Sequence, residues 1–160
     1  MTQWEPDQQI IALKYNAYFS LLASGMFITI LAKNILIDLN LRGDNTMSAL
    51  SMLCAFGFIY FAVRWAKKCK GNGFWQAFFA RYNEELACEL SRKANSNSFF
   101  SLALMLLPAT ILGDPPVMEH LGSNAEIWLS LSNYAMLMLI VASVVWGSTI
   151  LFNLSEEAEF

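Results

Sequence analysis

Apolar residues along the chain gather in four long uncharged runs, and the charges lie in the segments between them. The runs cover 15–32, 45–63, 94–113 and 127–154, which are 18, 19, 20 and 28 residues long. A bilayer core of about 30 Å needs about 20 helical residues, and a helix satisfies its own backbone hydrogen bonds in lipid. The pattern therefore predicts an all-α polytopic membrane protein. Its single four-span domain covers residues 1–160, with transmembrane helices at about 15–37, 45–64, 96–113 and 127–154.

A further helix is predicted on the cytoplasmic side, at about 74–93, between the second and third spans. Its apolar residues recur at spacings of three and four, which places them on one stripe. The stripe includes Trp75, Phe78, Phe79, Tyr82 and Leu86. Residues 95–98, Asn-Ser-Asn-Ser, are predicted to break this amphipathic helix and to cap the third span.

The stripe has two interpretations that the sequence leaves open. The first is an interfacial helix on the inner leaflet, held by aromatic burial and by the nearby lysines. The second is an interface for a cytosolic partner or for neighbouring copies, in which the same five residues, Trp75 to Leu86, are the anchors.

Composition agrees with the membrane assignment. The chain is 56% hydrophobic and 14% charged, whereas soluble domains are about 25% charged. This composition excludes a soluble enzyme. A net charge of −3 and the absence of a glycine-rich phosphate loop also argue against direct nucleic-acid or nucleotide binding.

The basic residues predict the orientation, because lysine and arginine are retained on the cytoplasmic side. Eight of the ten belong to the N-terminal tail or to the segment between spans two and three, and only Lys33 and Arg42 lie in an outer loop. Both termini are therefore expected in the cytoplasm, and a bacterial inner membrane is the expected location.

Small residues four apart predict close helix packing. The pairs are Ser20 with Ser24, Gly25 with Thr29, Ser51 with Ala55, and Ser143 with Gly147. Four helices cannot use every such face internally, so a homo-oligomer is expected. Pro108 removes a backbone donor inside the third span, which makes it a candidate hinge.

The residue types needed for most chemistry are missing or misplaced. No aspartate, glutamate, lysine, arginine or histidine lies in the four uncharged runs, the three cysteines are not on the outer face, and His120 is the only histidine. Neither an enzyme nor a bound cofactor or metal is therefore expected.

The expected function is that of a non-enzymatic inner-membrane subunit, which contacts the lipid bilayer and other copies of itself. It would act as a platform, sensor or anchor for a cytosolic protein. Small four-span bacterial proteins often work with a second gene product, for example in phage defence or toxin immunity. The alternative is a small oligomeric ion channel or pore lined by serine, threonine and asparagine.

Overall fold

The computed structural model describes residues 5–39, 43–68, 82–112 and 130–157, and this part of the chain is all-helical. Its helices are α1 (Pro6–Asp38), α2 (Asp44–Lys68), α3 (Glu85–Leu112) and α4 (Leu131–Glu157). Each of the four is long and apolar enough to cross a membrane. These helices confirm the predicted all-α class and the prediction of four helices that are long and apolar enough to cross a membrane.

The separate amphipathic helix predicted at 74–93 is not confirmed. Residues 74–81 lie outside the described residues, and 82–84 are not helical. Residues 85–93 form the first turns of α3, which continues without interruption into the third span.

Helix α1 begins at Pro6. Proline has no backbone N–H, but an N–H in the first turn has no acceptor within the helix, so no hydrogen bond is lost there. With 33 residues, α1 is about 50 Å long and exceeds the hydrocarbon thickness of a bilayer. The connection to α2 ends at Gly43, whose φ of +145° is rarely adopted by other residues.

The helices lie in the spatial order α2, α1, α4, α3. Helix α1 packs along α2 on one side and along α4 on the other, and α3 packs mainly on α4. Helices α2 and α3 therefore stand at the two ends of the row and have little internal burial. Their exposed side chains include Leu53, Phe56, Ile59, Phe99, Phe100 and Ile111.

Aromatic rings make much of the contact between α1 and α2. Phe19 lies between Phe58 and Trp65, with ring centroids 5.0 and 5.7 Å away. Tyr18 lies 6.2 Å from Phe61 on the same contact. Edge-to-face and tilted pairs at these distances add to the stabilisation from burial alone.

Small residues make the contact between α1 and α4. A Cβ atom added to Gly147 would lie 2.9 Å from both the Ala17 backbone oxygen and Leu21 Cγ. One turn earlier on α4, the Ser20 hydroxyl donates to the Ser143 backbone oxygen at 2.8 Å. The faces that carry Ser20 and the Ser143–Gly147 pair thus meet within one chain.

The other predicted packing residues lie on α1 and α2. Ser24 and Thr29 are buried, and their hydroxyls donate to backbone oxygens of their own helix. Gly25 faces Cys54 of α2, whereas Ser51 and Ala55 are half-buried. Contact between copies through any of these faces stays a prediction.

Pro108 lies inside α3, and the helix continues to Leu112. The Tyr134 hydroxyl of α4 donates to the Met105 backbone oxygen, so α4 supports α3 close to the proline. The hinge role of Pro108 stays a prediction.

We expect Gly147→Ala to destabilise the protein, because the new methyl group would lie 2.9 Å from a backbone oxygen and from the half-buried Leu21. Overpacking of this kind costs about 1–3 kcal/mol. Gly57→Ala is the matched control, since its Cβ would lie 3.8 Å from Leu22 Cδ2. Thermal unfolding in mild detergent should show a lower midpoint for Gly147→Ala only, and equal midpoints would contradict the close approach.

Candidate functional site

The best-buried apolar side chains gather at one end of the helix row, where α1 and α3 begin and α2 and α4 end. We call this region the packed end. Its core includes Leu13, Ala17, Trp65, Tyr82, Leu90 and Ile150. Lipid tails are as apolar as leucine, so burial between helices gains little inside a bilayer but much in water. A core at one end is the arrangement expected where the ends of membrane-spanning helices project into water.

Exposed charges around the core agree with that environment. They include Asp7, Lys14, Lys67, Glu85, Arg92 and Glu156. On α3 the exposed surface is polar up to Asn97 and then changes to Phe99 and Phe100, which are 75% and 64% exposed. Helix α3 therefore has the surface of a helix that passes from water into lipid near Ser98.

The start of α3 is held by a side chain of α1. Gln9 is 2% exposed, and its Oε1 accepts hydrogen bonds from the backbone N–H groups of Asn83 and Glu84 at 2.7 and 2.9 Å. The Glu84 carboxylate accepts from the Ala87 N–H at 2.6 Å. The first N–H groups of a helix have no partner within it, so Gln9 and Glu84 together cap α3 and join it to α1.

Two of the predicted docking residues face the chain's own core. Tyr82 is 6% exposed, and its hydroxyl accepts a hydrogen bond from Asn16 Nδ2 at 2.9 Å. Leu86 is half-buried against the same core. Both residues therefore pack within the chain in this structure, and their role as anchors for a partner stays a prediction. Trp75, Phe78 and Phe79 lie outside the described residues.

Polar side chains join α3 to α4 over residues 93–98 of α3. The predicted helix break at residues 95–98 is wrong, because these residues continue α3, and Asn95, Asn97 and Ser98 make hydrogen bonds to α4. The pairs are Lys93 Nζ to Asn153 Oδ1 at 2.6 Å, Trp146 Nε1 to Asn95 Oδ1 at 2.7 Å, Asn97 Nδ2 to Thr149 Oγ1 at 3.4 Å, and Ser98 Oγ to the Ala142 oxygen at 3.2 Å.

Two surface grooves lie on either side of Lys93 and Asn97. The groove between α3 and α4 has a volume of about 470 Å³, and Thr149, Asn153 and Glu156 also line it. The second groove, of about 390 Å³, is lined by α3 alone and adds Glu89, Arg92 and Ser96. Both grooves combine cationic, anionic and neutral polar side chains. Sequence reasoning missed them, although the four-residue spacing of Lys93 with Asn97 and of Thr149 with Asn153 gave a signal.

Thr29 and Asn133, two of the polar side chains that could line a pore, are buried inside the chain. Thr29 is 5% exposed and Asn133 is 3% exposed. The Asn133 side-chain oxygen accepts a hydrogen bond from Asn34 of α1 at 3.5 Å. A pore lined by these residues stays a prediction.

Among the residues that the structure describes, no three histidine, cysteine, aspartate or glutamate side chains lie close enough together to hold a metal ion. Cys54 and Cys88 are free thiols, whereas Cys69 and His120 lie outside the described ranges. Comparisons with protein-family models, with curated proteins and with solved structures gave no match. Function must therefore be inferred from the packed end and its grooves.

We expect Gln9→Leu to destabilise the protein by about 1–3 kcal/mol, because two partly buried backbone N–H groups would lose their acceptor. The adjacent Gln8 makes only a surface hydrogen bond to Glu5, so Gln8→Leu is the matched control. Chemical unfolding in detergent should separate the two variants. Equal stability would show that the Gln9 contacts contribute little to the start of α3.

Proposed function

We propose that this chain is a non-enzymatic, homo-oligomeric subunit of a bacterial inner membrane that acts as a platform, sensor or anchor for a cytosolic protein. A two-gene system such as phage defence or toxin immunity would suit such a subunit. The observation that carries the proposal is the packed end, because it is a preformed helical core beyond the lipid-facing part of α3.

Rigidity supports this role. Association costs less free energy when the binding surface is already ordered. Gln9 and Glu84 hold the start of α3 against α1, and Trp65 and Ile150 bring α2 and α4 into the same core. All four helices therefore contribute to one ordered region that a partner could bind.

Connectivity supports the predicted anchors. The segment with Trp75, Phe78 and Phe79 joins Lys68, at the end of α2, to Tyr82, and both of these residues belong to the packed end. We propose that these three aromatic side chains bind the partner, while Tyr82 and Leu86 hold the segment to the core.

The charges support a cytoplasmic position for the packed end. Five exposed basic side chains of the described residues lie there, namely Lys14, Arg64, Lys67, Arg92 and Lys93. Lys33 is near the opposite end of α1. Basic residues are retained on the cytoplasmic side, so we place the packed end and both termini in the cytoplasm.

The arrangement of the helices supports an oligomer built through α2 or α3. The small-residue contact of α1 with α4 is already used within the chain. Helices α2 and α3 have exposed faces with large aromatic side chains such as Phe56 and Phe100, which are 72% and 64% exposed. We propose that neighbouring copies associate through one of these faces.

Affinity purification in mild detergent, from cells that express the protein at its natural level, tests the proposal. We expect a soluble companion to co-purify with the wild-type protein in a fixed stoichiometry and to be absent from the purified Phe79→Ala variant. Truncating an interface anchor costs about 2 kcal/mol or more of binding free energy, roughly thirtyfold in affinity. Leu139→Ala is the control, since Leu139 is an exposed apolar residue of α4 that lies outside the α2 and α3 faces, and this variant should retain the companion. Both variants should keep the wild-type unfolding temperature.

Tyr82→Ala should behave differently and lower stability by about 3–5 kcal/mol, because it removes a buried aromatic side chain. The platform proposal fails if Phe79→Ala keeps its companion. It also fails if the wild-type particle has no companion and conducts ions after reconstitution, which would favour the pore.

A further inference from the structure

With α3 entering the hydrocarbon near Phe99, the inner part of the groove between α3 and α4 lies at the depth of lipid headgroups, and Glu156 lies just beyond them. Lys93 precedes the exposed Phe99 by six residues, which is about 9 Å along a helix. The headgroup region extends about 5–8 Å beyond the hydrocarbon core on each side of a bilayer. Asn97 and Thr149 meet near the inner boundary of this region, and Lys93 with Asn153 lies near its outer boundary.

The inner part of the groove offers donors suited to a phosphate. The Lys93 ammonium has three N–H donors and gives one to Asn153. Asn97 has two amide donors and gives one to Thr149, whose hydroxyl accepts it and keeps its own proton for a further acceptor. One cation and two neutral donors thus converge within one turn of each helix, and charge-assisted hydrogen bonds to phosphate are strong.

The outer part of the groove carries the opposite charge. Glu156 lies three residues beyond Asn153 on α4, about 4.5 Å farther from the membrane. Lys93 and Glu156 are the only charged side chains of this groove within the described residues, so its formal charge is zero. An anionic lipid would therefore gain little net attraction.

The order of the charges selects a headgroup. Moving away from the bilayer, a zwitterionic phospholipid presents first its phosphate and then its amine. The groove presents first Lys93 with its neighbouring donors and then Glu156. A primary ammonium group can donate hydrogen bonds to the Glu156 carboxylate, whereas a quaternary choline has no N–H to give.

The groove lined by α3 alone repeats the same order. Glu89 lies outermost, Arg92 and Lys93 follow one turn closer to the membrane, and Ser96 and Asn97 follow them. Beside the first groove, Phe152 is 64% exposed and provides apolar surface. We propose that the α3–α4 groove binds the headgroup of a zwitterionic aminophospholipid, with phosphate at Lys93, Asn97 and Thr149 and the amine at Glu156.

The test uses the full-length protein, delipidated in detergent. Its unfolding temperature is measured with added phosphatidylethanolamine, phosphatidylcholine, phosphatidylglycerol or inorganic phosphate, and retained lipid is counted by native mass spectrometry. We expect phosphatidylethanolamine to bind roughly tenfold more tightly than the other two lipids, as one charge-assisted hydrogen bond would give. Inorganic phosphate should have no comparable effect.

Glu156→Gln gives the sharpest comparison, because it leaves Lys93 and makes the groove net positive. We expect the preference to invert, so that phosphatidylglycerol binds more tightly than phosphatidylethanolamine. Glu85→Gln is the matched control, since Glu85 is exposed at the packed end but outside the groove, and its preference should stay that of the wild type. Lys93→Gln should weaken the binding of phosphatidylethanolamine and of phosphatidylglycerol roughly tenfold. Lys14→Gln should leave the binding of both lipids unchanged.

Equal stabilisation by all three lipids would overturn the proposal, because it would show that the stabilisation is a nonspecific effect of lipid or detergent. Stabilisation by inorganic phosphate equal to that by phosphatidylethanolamine would also overturn it, in favour of a free-anion site. An unchanged preference in Glu156→Gln would exclude the amine contact. That variant sits on an exposed side chain at the end of α4, so it tests the proposal even if Lys93→Gln fails to fold.

Discussion

The distribution of buried side chains is the one expected for a protein with water at the packed end and lipid around the rest of the helices. Water makes it favourable to bury Leu13, Tyr82 and Ile150 together, whereas lipid gives almost no such advantage. In the described part of the chain, the cluster of buried apolar side chains lies at the packed end. Farther along the helices, the contacts include the approach of Gly25 to Cys54 and the hydrogen bond between Asn34 and Asn133.

Three kinds of contact follow from this constraint. Aromatic pairs join α1 to α2, the approach of Gly147 to Ala17 joins α1 to α4, and polar pairs such as Lys93 with Asn153 join α3 to α4. The polar pairs lie where α3 leaves the lipid, and their side chains also line the two grooves. The same residues thus stabilise the row of helices and supply the charges on which the lipid proposal depends.

The number of spans could be predicted from the sequence, because uncharged runs of about 20 residues have few other uses. The continuity of α3 could not, since residues 95–98 resemble a helix break until their partners on α4, more than 40 residues away, are known. The position of Tyr82 was missed for a related reason. Periodicity placed it on an apolar stripe, but only the fold shows that the stripe meets α1 there.

Labelling of single cysteines along α3 with a membrane-impermeant maleimide tests most directly whether the packed end lies in cytoplasmic water. Cys88 is native and exposed, and it can be compared with Arg92→Cys, Phe100→Cys and Leu104→Cys in chains that lack the other cysteines. We predict that Cys88 and Arg92→Cys react only after the cells are opened, and that Phe100→Cys and Leu104→Cys react in neither case. Labelling of Cys88 in intact cells would contradict the cytoplasmic position of the packed end. Protection of Cys88 in opened cells, equal to that of Leu104→Cys, would contradict its exposure to water.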